Sequence, residues 1–213
     1  MTHAKTLSHI LDAKIVAIIR GANPSDALAI ANALYDGGIT VLEITMNSPK
    51  PLAIIEELSK KMEEKMLIGA GTVLDAETAR LAILAGAKFI LSPTVNVETI
   101  TMTKRYGAVS IPGAFTPTEI LTAYEKGGDI IKVFPGILGY SYIKEIQGPL
   151  PHIPLLPTGG IRIDNIQDYI KAGAAGFGIG TSLVDTKQRI TEDYLLKITE
   201  KAQHLVRAVH ELP

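Results

Sequence analysis

Short apolar segments recur along the chain at nearly even spacing, and segments with a helical pattern separate most of them. Each apolar segment is bounded by polar residues, glycine or proline, which is typical of a buried strand. These segments lie at residues 15–19, 40–44, 66–68, 88–91, 108–111, 129–134, 153–156 and 175–179. Apolar residues three and four positions apart, the helical pattern, occur in residues 24–36, 49–61, 76–85 and 118–126.

Alternating strands and helices fit two architectures, an open doubly wound sheet and a closed (β/α)8 barrel. Eight strands within about 170 residues favour the barrel. The first strand is followed by Arg20-Gly21-Ala22-Asn23-Pro24, so the Gly-x-Gly-x-x-Gly pattern of a dinucleotide-binding sheet is absent there. We therefore predict one α/β domain over residues 1–213, a single (β/α)8 TIM barrel with a short helical segment before the first strand. One helix start is also marked, because Thr116 precedes Glu119 by three residues.

The sixth predicted strand contains a lysine among apolar residues. In Ile130-Ile131-Lys132-Val133-Phe134, residues 130, 132 and 134 share one face, which in a barrel points inward. A buried ammonium group must be paired, neutral or used by the site. A free lysine with a pKa of about 10.4 is less than roughly 0.1% neutral at pH 7, so a Schiff-base lysine needs such burial to lower its pKa.

The second predicted strand carries a carboxylate on its inward face. Glu43 alternates with Val41 and Thr45, and the second and sixth strands lie opposite each other in an eight-stranded barrel. Glu43 and Lys132 can therefore face each other, either as a buried structural ion pair or as a general acid/base beside a nucleophilic amine. An iminium formed by that amine on a 2-keto acid would permit carbon–carbon cleavage.

Other candidate residues follow the strands at the end where barrels place their active sites. Glycines after the last two strands, at Gly159-Gly160 and in residues 176–182, either bind a phosphate through backbone N–H groups or only turn the chain. Arg20 either clamps a carboxylate or phosphate or is a solvated loop residue. Thr72 either binds a substrate oxygen or caps a helix. Pro93 is interpreted as a rigid turn that shapes the mouth.

The composition limits the classes of partner that the chain is expected to bind. With 21 basic and 22 acidic residues, the net charge of −1 gives no electrostatic reason to expect binding to nucleic acid or an anionic membrane. Zero cysteines exclude disulfides, thiolate nucleophiles and cysteine-bound metals, and fit a reducing compartment. The five histidines show no paired ligand spacing, so no metal is expected. With no signal-peptide segment and no apolar window of about 18 residues, a cytoplasmic enzyme for small molecules is expected.

The motifs together resemble a known family, the class I aldolases that cleave 2-keto-3-deoxy-6-phosphogluconate (KDPG) and often 4-hydroxy-2-oxoglutarate (KHG). The likeness extends from Ile15 to about Leu183. Its motifs are Glu43-Ile44-Thr45, Ser48-Pro49, Ile68-Gly69-Ala70-Gly71-Thr72-Val73, Ser92-Pro93, Ile111-Pro112-Gly113, Thr116-Pro117-Thr118-Glu119, Lys132-Val133-Phe134-Pro135, Gly148-Pro149 and Pro157-Thr158-Gly159-Gly160-Ile161.

The resemblance implies a role for each candidate. It implies that Lys132 forms the Schiff base with pyruvate and that Glu43 is the general acid/base, acting through a water. It also implies a pyruvate-derived and phosphorylated 2-keto acid substrate, no metal or organic cofactor, and a homotrimer. The substrate-binding residues that it implies are Arg20, Thr72, Pro93, Phe134, Gly159, Gly160 and Ser182.

Two departures from the family pattern leave alternatives open. Asn47 stands where many members carry an arginine. The resulting pattern, Glu43 followed by Asn47-Ser48-Pro49, resembles that of the branch that acts on the 6-phosphogalactonate epimer. Gly180-Thr181-Ser182 stands where relatives often have paired glycines. The expected reaction is KDPG cleavage to pyruvate and glyceraldehyde 3-phosphate, with KHG cleavage to pyruvate and glyoxylate as a further activity. The alternatives are the galactonate epimer, a phosphate-binding isomerase or epimerase barrel, and a barrel without catalysis.

Overall fold

Parallel strands form a closed ring with helices outside it. The computed structural model describes residues 2–210, so the predicted domain limits at residues 1 and 213 lie outside the described part of the chain. The strands are β1 (Ile15–Ile19), β2 (Val41–Thr45), β3 (Leu67–Gly71), β4 (Phe89–Leu91), β5 (Val109–Ile111), β6 (Gly113–Ala114), β7 (Ile131–Val133), β8 (Leu155–Pro157) and β9 (Phe177–Ile179). The helices are α1 (His3–Ala13), α2 (Pro24–Asp36), α3 (Pro51–Lys61), α4 (Ala76–Leu84), α5 (Val97–Arg105), α6 (Pro117–Glu125), α7 (Gly139–Gln147), α8 (Ile166–Lys171) and α9 (Glu192–His210).

Two hydrogen-bonded sheets make up the ring. One has the order β5-β4-β3-β2-β1-β9 and the other β6-β7-β8, and all their pairings are parallel. Pro112 joins β5 directly to β6, and a parallel bridge joins Thr158, after β8, to Gly178 in β9. Since β5 and β6 are halves of one strand, the described ring has eight positions. The predicted (β/α)8 barrel is confirmed.

The predicted segments and the observed elements differ where local chemistry interrupts the pattern. Pro112 divides the fifth strand because proline has no N–H to donate, although its carbonyl still accepts a bond from the Lys132 N–H at 2.9 Å. The helix predicted from residue 49 begins at Pro51, because Lys50 has a left-handed φ of 46°. The strand predicted from residue 153 begins at Leu155, because the Ile153 N–H closes a turn onto the Leu150 carbonyl.

The predicted helix start at Thr116 is confirmed. Its hydroxyl accepts a bond from the Glu119 N–H, and the Glu119 carboxylate accepts bonds from the N–H groups of Thr116 and Phe115. This reciprocal arrangement satisfies donors that the first turn of a helix leaves unpaired. The same bonds hold the pKa of Glu119 below its usual value. The capping box therefore fixes where α6 begins.

Helix α1 closes the N-terminal end of the barrel. Ile10 of α1 is buried in one cluster with inward-facing strand residues, and Leu7 and Leu11 pack against the same cluster. Asp129, just before β7, accepts a bond from Lys104 Nζ at 2.5 Å and lies 3.1 Å from His3 Nε2, which ties α1 to the barrel wall. The strand residues of the interior cluster are Val16, Val41, Leu67, Phe89, Leu91, Val109, Ile111, Ile130 and Leu156.

Candidate active site

Glu43 and Lys132 lie in the barrel interior, on the C-terminal side of the interior cluster described above. Each follows a residue of that cluster by two positions: Glu43 follows Val41, and Lys132 follows Ile130. Alternation along the strands therefore turns both side chains inward, nearer to the C-terminal ends of β2 and β7. Glu43 is fully buried, and Lys132 is only 4% exposed. The structure thus brings both predicted side chains into one interior.

Among the described residues, neither oxygen of the Glu43 carboxylate has a hydrogen-bond partner. Lys132 Nζ therefore lies beyond hydrogen-bonding distance, and the structural ion pair considered from the sequence is not formed as a direct contact. Leaving a buried polar group unpaired costs about 1–3 kcal/mol, and more when the group is charged. Groups kept in this condition are typical of functional sites, where the reacting molecule supplies the partner.

Burial moves the pKa values of these two groups in opposite directions. It raises the pKa of the Glu43 carboxyl, and the positive charges of Lys132 and Arg20 offset only part of that rise. It lowers the pKa of Lys132, against the charge of Glu43 and with help from that of Arg20. A lower pKa gives more neutral amine, the nucleophilic form, while a raised carboxyl pKa suits proton transfer near neutral pH. The pair is suited to nucleophilic and acid/base roles respectively.

Arg20 is held at the mouth by neighbouring loops. Its Nη1 donates to Asn47 Oδ1 at 2.8 Å, and its carbonyl accepts a bond from the Thr186 hydroxyl at 2.6 Å. The next residue, Gly21, donates its N–H to Ser48 Oγ at 2.8 Å. These bonds join the segments that follow β1, β2 and β9. They leave the guanidinium at the mouth, where it can bind an anionic group.

The predicted residues Thr72, Pro93 and Phe134 lie around the same opening. Thr72 directly follows β3 with a left-handed φ of 56°, which is a rare conformation for a β-branched residue. The Phe134 ring centroid is 4.9 Å from Lys132 Nζ, so the ring forms one side of the amine's surroundings. The Pro93 backbone lies so close to Gly113 that a Cβ at residue 113 would be 2.5 Å from it. Pro93 therefore forms part of the wall.

A cavity of about 750 Å³ opens beside this group at the ends of β1, β8 and β9. Its lining includes four of the predicted residues, namely Arg20, Gly159, Gly160 and Ser182. Gly159 and Gly160 have positive φ angles of 97° and 75°, which only glycine adopts readily. The Ser182 hydroxyl donates to the Ile161 carbonyl at 3.1 Å.

Four polar residues of the cavity lining were not singled out from the sequence. They are Arg162, Asp185, Thr186 and Lys187. Thr186 and Lys187 lie in the segment between β9 and α9, which carries no recognisable motif. Their only signal was their position after the last strand, the end of the barrel where substrates bind.

Within residues 2–210, no group of three or more histidine, aspartate or glutamate side chains is arranged to hold a metal ion. None of the helices in this part of the chain combines the length and apolar character needed to cross a membrane.

Comparisons with known proteins show what the chain as a whole is similar to. Residues 7–200 match the family described as KDPG and KHG aldolase. The chain is 35% identical over 199 residues to the 2-dehydro-3-deoxy-6-phosphogalactonate aldolase of Escherichia coli strain K12, covering 92% of this chain and 95% of that protein. It is 36% identical over 161 residues to the 2-dehydro-3-deoxy-phosphogluconate aldolase of Pseudomonas aeruginosa, covering 75% and 73%.

A solved structure adds a comparison of the whole fold. The KDPG aldolase from Legionella pneumophila, with pyruvate captured as a covalent carbinolamine intermediate, superposes with a TM-score of 0.83. It is 29% identical and covers 92% of this chain and 96% of that one. A carbinolamine is the adduct that precedes a Schiff base, so in that protein an amine attacks pyruvate.

Proposed function

The chain belongs to the KDPG and KHG aldolase family, and we propose that it cleaves a phosphorylated 2-keto-3-deoxy acid through a Schiff base on Lys132. The observation that supports this most directly is the buried lysine near an unpaired, buried carboxylate. An isomerase or epimerase would need an acid/base pair and no such amine. A barrel without catalysis would have no reason to keep either group buried.

The proposed reaction begins at the substrate carbonyl. Neutral Lys132 attacks C2 of the 2-keto acid, and loss of water from the carbinolamine gives an iminium. The iminium accepts the electron pair of the C3–C4 bond as a base removes the C4 hydroxyl proton, which releases the aldehyde and leaves an enamine. Protonation of the enamine at C3 and hydrolysis then release pyruvate and restore the amine. We assign these proton transfers to Glu43, acting through a water.

The remaining residues would hold the two anionic ends of the substrate. Arg20 and Thr72 would bind the carboxylate or nearby oxygens, and Phe134 and Pro93 would pack against the pyruvate half. Backbone N–H groups at Gly159 and Gly160, together with Ser182, would bind the distal phosphate, a group that such glycine-rich turns suit. The scheme requires no metal or organic cofactor, because the iminium is the electron sink. Arg20 lines the cavity together with Gly159, Gly160 and Ser182, whereas Lys132 and Glu43 lie outside that lining, in the barrel interior.

We propose KDPG as the substrate, with pyruvate and glyceraldehyde 3-phosphate as products, and KHG as a further substrate that yields pyruvate and glyoxylate. A second candidate, the 6-phosphogalactonate epimer, is supported about as well. Asn47 accepts a bond from Arg20 instead of adding a cation to the mouth, and one relative at 35% identity is named for that epimer. The kcat/KM values for KDPG, its C4 epimer and KHG, measured with lactate dehydrogenase to detect pyruvate, decide between them.

The mechanism is tested by incubating the protein with pyruvate, reducing with borohydride and locating the added mass by peptide mass spectrometry. The expected adduct is on Lys132 and is absent from Lys132→Met. Lys144→Met, on the exposed surface of α7, is the matched control and should be labelled like the native protein. Label on another lysine, or none in the native protein, would refute the Schiff-base assignment.

The role of Glu43 is tested separately. Glu43→Gln keeps the size of the side chain but cannot take up a proton, so we expect it to trap pyruvate yet turn over at least about 100-fold more slowly. Turnover at the native rate would remove Glu43 from the proposed mechanism.

We also propose a cytoplasmic homotrimer, as the family resemblance implies. Exposed apolar side chains on and beside the neighbouring helices α4 and α5 are consistent with an interface between copies. They are Leu74, Leu81, Leu84, Val97 and Tyr106. Light scattering during gel filtration should give about three times the mass of one 22.8 kDa chain, whereas a monomer would contradict the proposal.

A further inference from the structure

The Glu43 side chain lies directly against the backbone of Gly71. A Cβ built at residue 71 would be 1.5 Å from Glu43 Oε1 and 2.1 Å from its carboxyl carbon. Both distances are far inside van der Waals contact. The carboxyl group therefore occupies the place that any side chain at residue 71 would need.

Strand register shows which way the side chain leans. The Cα of Glu43 is level with Gly69, while Gly71 is level with Thr45. The carboxyl group is thus displaced along β3 from the level of Gly69 toward that of Gly71, in the direction of the C-terminal end of the barrel. That is the end where the mouth lies. The lean carries the carboxyl group from the level of its own Cα toward the opening.

The backbone conformation at residue 71 does not require glycine. Gly71 lies within the regular strand β3 and has no positive φ, so its backbone would accept an L-residue. Gly69, the other inward glycine of the strand, leaves room for the ring of Phe89 instead. Gly69 therefore leaves space for the Phe89 ring of the interior cluster, and Gly71 leaves space for the Glu43 carboxyl group.

We propose that Gly71 is a positioning residue whose missing side chain lets the Glu43 carboxyl group reach the reacting part of the substrate. This inference rests on the proposed function, in which Glu43 transfers protons to and from the bound substrate. The three atoms nearest to a new Cβ all belong to the Glu43 side chain, namely Oε1, Cδ and Cγ, and none is a backbone atom. Alanine at residue 71 would therefore displace the carboxyl group and leave the strand in place.

The test is Gly71→Ala, measured for two separate steps. Attack by Lys132 does not require the carboxyl group at its native position, so borohydride should still trap pyruvate. Exchange of the pyruvate methyl protons for deuterium requires the acid/base group, and that rate and kcat should both fall at least about 100-fold, as a misplacement of about 1 Å can cause. KM should change much less than kcat. Gly148→Ala, at the end of α7, is the control: a Cβ there meets a carbonyl at 3.4 Å and lies next to Pro149, so stability falls somewhat while the exchange rate and kcat should stay native.

A double-mutant cycle separates positioning from a general structural effect. If Gly71→Ala has already moved the carboxyl group away, adding Glu43→Gln should lower kcat by less than about threefold more. A structural defect unrelated to Glu43 would instead multiply with the full effect of Glu43→Gln. Native-like exchange and turnover in Gly71→Ala, or multiplicative losses in the cycle, would overturn the inference.

Folding failure is also informative. If Gly71→Ala does not fold, then Gly71→Ala/Glu43→Ala should fold, because the second change removes the atoms that collide. A double variant that also fails to fold would overturn the inference. Failure of the native protein to trap pyruvate would refute the proposed function itself, which is a different result from any of these.

Discussion

Glu43→Gln should change the pH dependence of stability. The free energy of unfolding of the variant, minus that of the native protein, should increase as the pH rises. The carboxyl group is buried and has no hydrogen-bond partner within residues 2–210, and burial raises its pKa above the ordinary value of 4.5. A carboxyl group with a raised folded pKa adds stability below its unfolded pKa, and that stability is lost as the pH rises through the folded pKa. The native protein has this loss above pH 4.5, whereas the glutamine variant has none.

Lys132 changes the comparison in the same direction. Its pKa is lowered by burial, and the charge of Glu43 opposes that lowering. A lysine with a lowered folded pKa loses stability as the pH falls through that value. Glu43→Gln removes the opposing charge, so the variant is destabilised further at low pH. Both effects make the free energy of unfolding of the variant, minus that of native, increase with pH.

The magnitude follows from the linkage between pKa and stability. Each unit by which burial raises the Glu43 pKa contributes about 1.4 kcal/mol to the difference. In a chain of this size, each kcal/mol shifts Tm by about 2–4 °C. Thermal and urea unfolding of both proteins at about pH 5 and about pH 8 measures the change. Glu125→Gln, an exposed change on α6, is the control and should follow the native protein at both pH values.

The unpaired amide of glutamine gives an offset that does not depend on pH. The reasoning is therefore tested by the slope of the difference and not by its sign at one pH. A difference between Glu43→Gln and native that stays constant across this range would refute it.

Three further outcomes are expected. Thr72→Gly removes a left-handed conformation that costs threonine about 1–2 kcal/mol, but glycine adds about 0.5–1 kcal/mol of entropy cost on folding. The free energy of unfolding in urea should therefore stay within about 1 kcal/mol of native, while KM for the 2-keto acid rises. A loss of stability above about 2 kcal/mol would contradict this. Asn47→Ala removes the acceptor of the Arg20 guanidinium, so steady-state kinetics should show a higher KM with stability within about 0.5 kcal/mol; an unchanged KM would exclude Asn47 from holding Arg20. Thr116→Ala removes the cap of α6 and should lower the free energy of unfolding by about 1 kcal/mol, whereas an unchanged Tm would show that the capping box contributes nothing.

The sequence predicts best what depends on alternation along a single strand. The inward position of Lys132 follows from the period of β7, and that of Glu43 from β2. Their common interior follows from the number of strands. Pro112 shows the limit, since the ladder breaks where a proline lacks its N–H, yet the chain continues as β6 on the other side. A count of apolar segments finds one strand there.

The sequence could not predict features that depend on contacts between strands. Gly71 is one glycine among several until the register beside β2 shows that the Glu43 carboxyl group lies over it. Thr186 is likewise unremarkable until its hydroxyl reaches the Arg20 carbonyl, 166 residues earlier in the chain. Such contacts depend on the relative placement of distant segments, which no local pattern specifies.

The apolar side chains by which α1 closes one end of the barrel bear on the route by which the two halves of the substrate bind and leave. Among the described residues, Ile10 and its neighbours close the N-terminal end of the barrel interior, so Lys132 is approached from the C-terminal ends of the strands. In the proposed reaction the pyruvate half is bonded to the deepest group, and the aldehyde half lies between it and solvent. The aldehyde must therefore depart first during cleavage, and pyruvate must load first during synthesis. The covalent bond to Lys132 imposes this order, and a helix at the opposite end of the barrel leaves both halves the same end of the barrel through which to enter and depart.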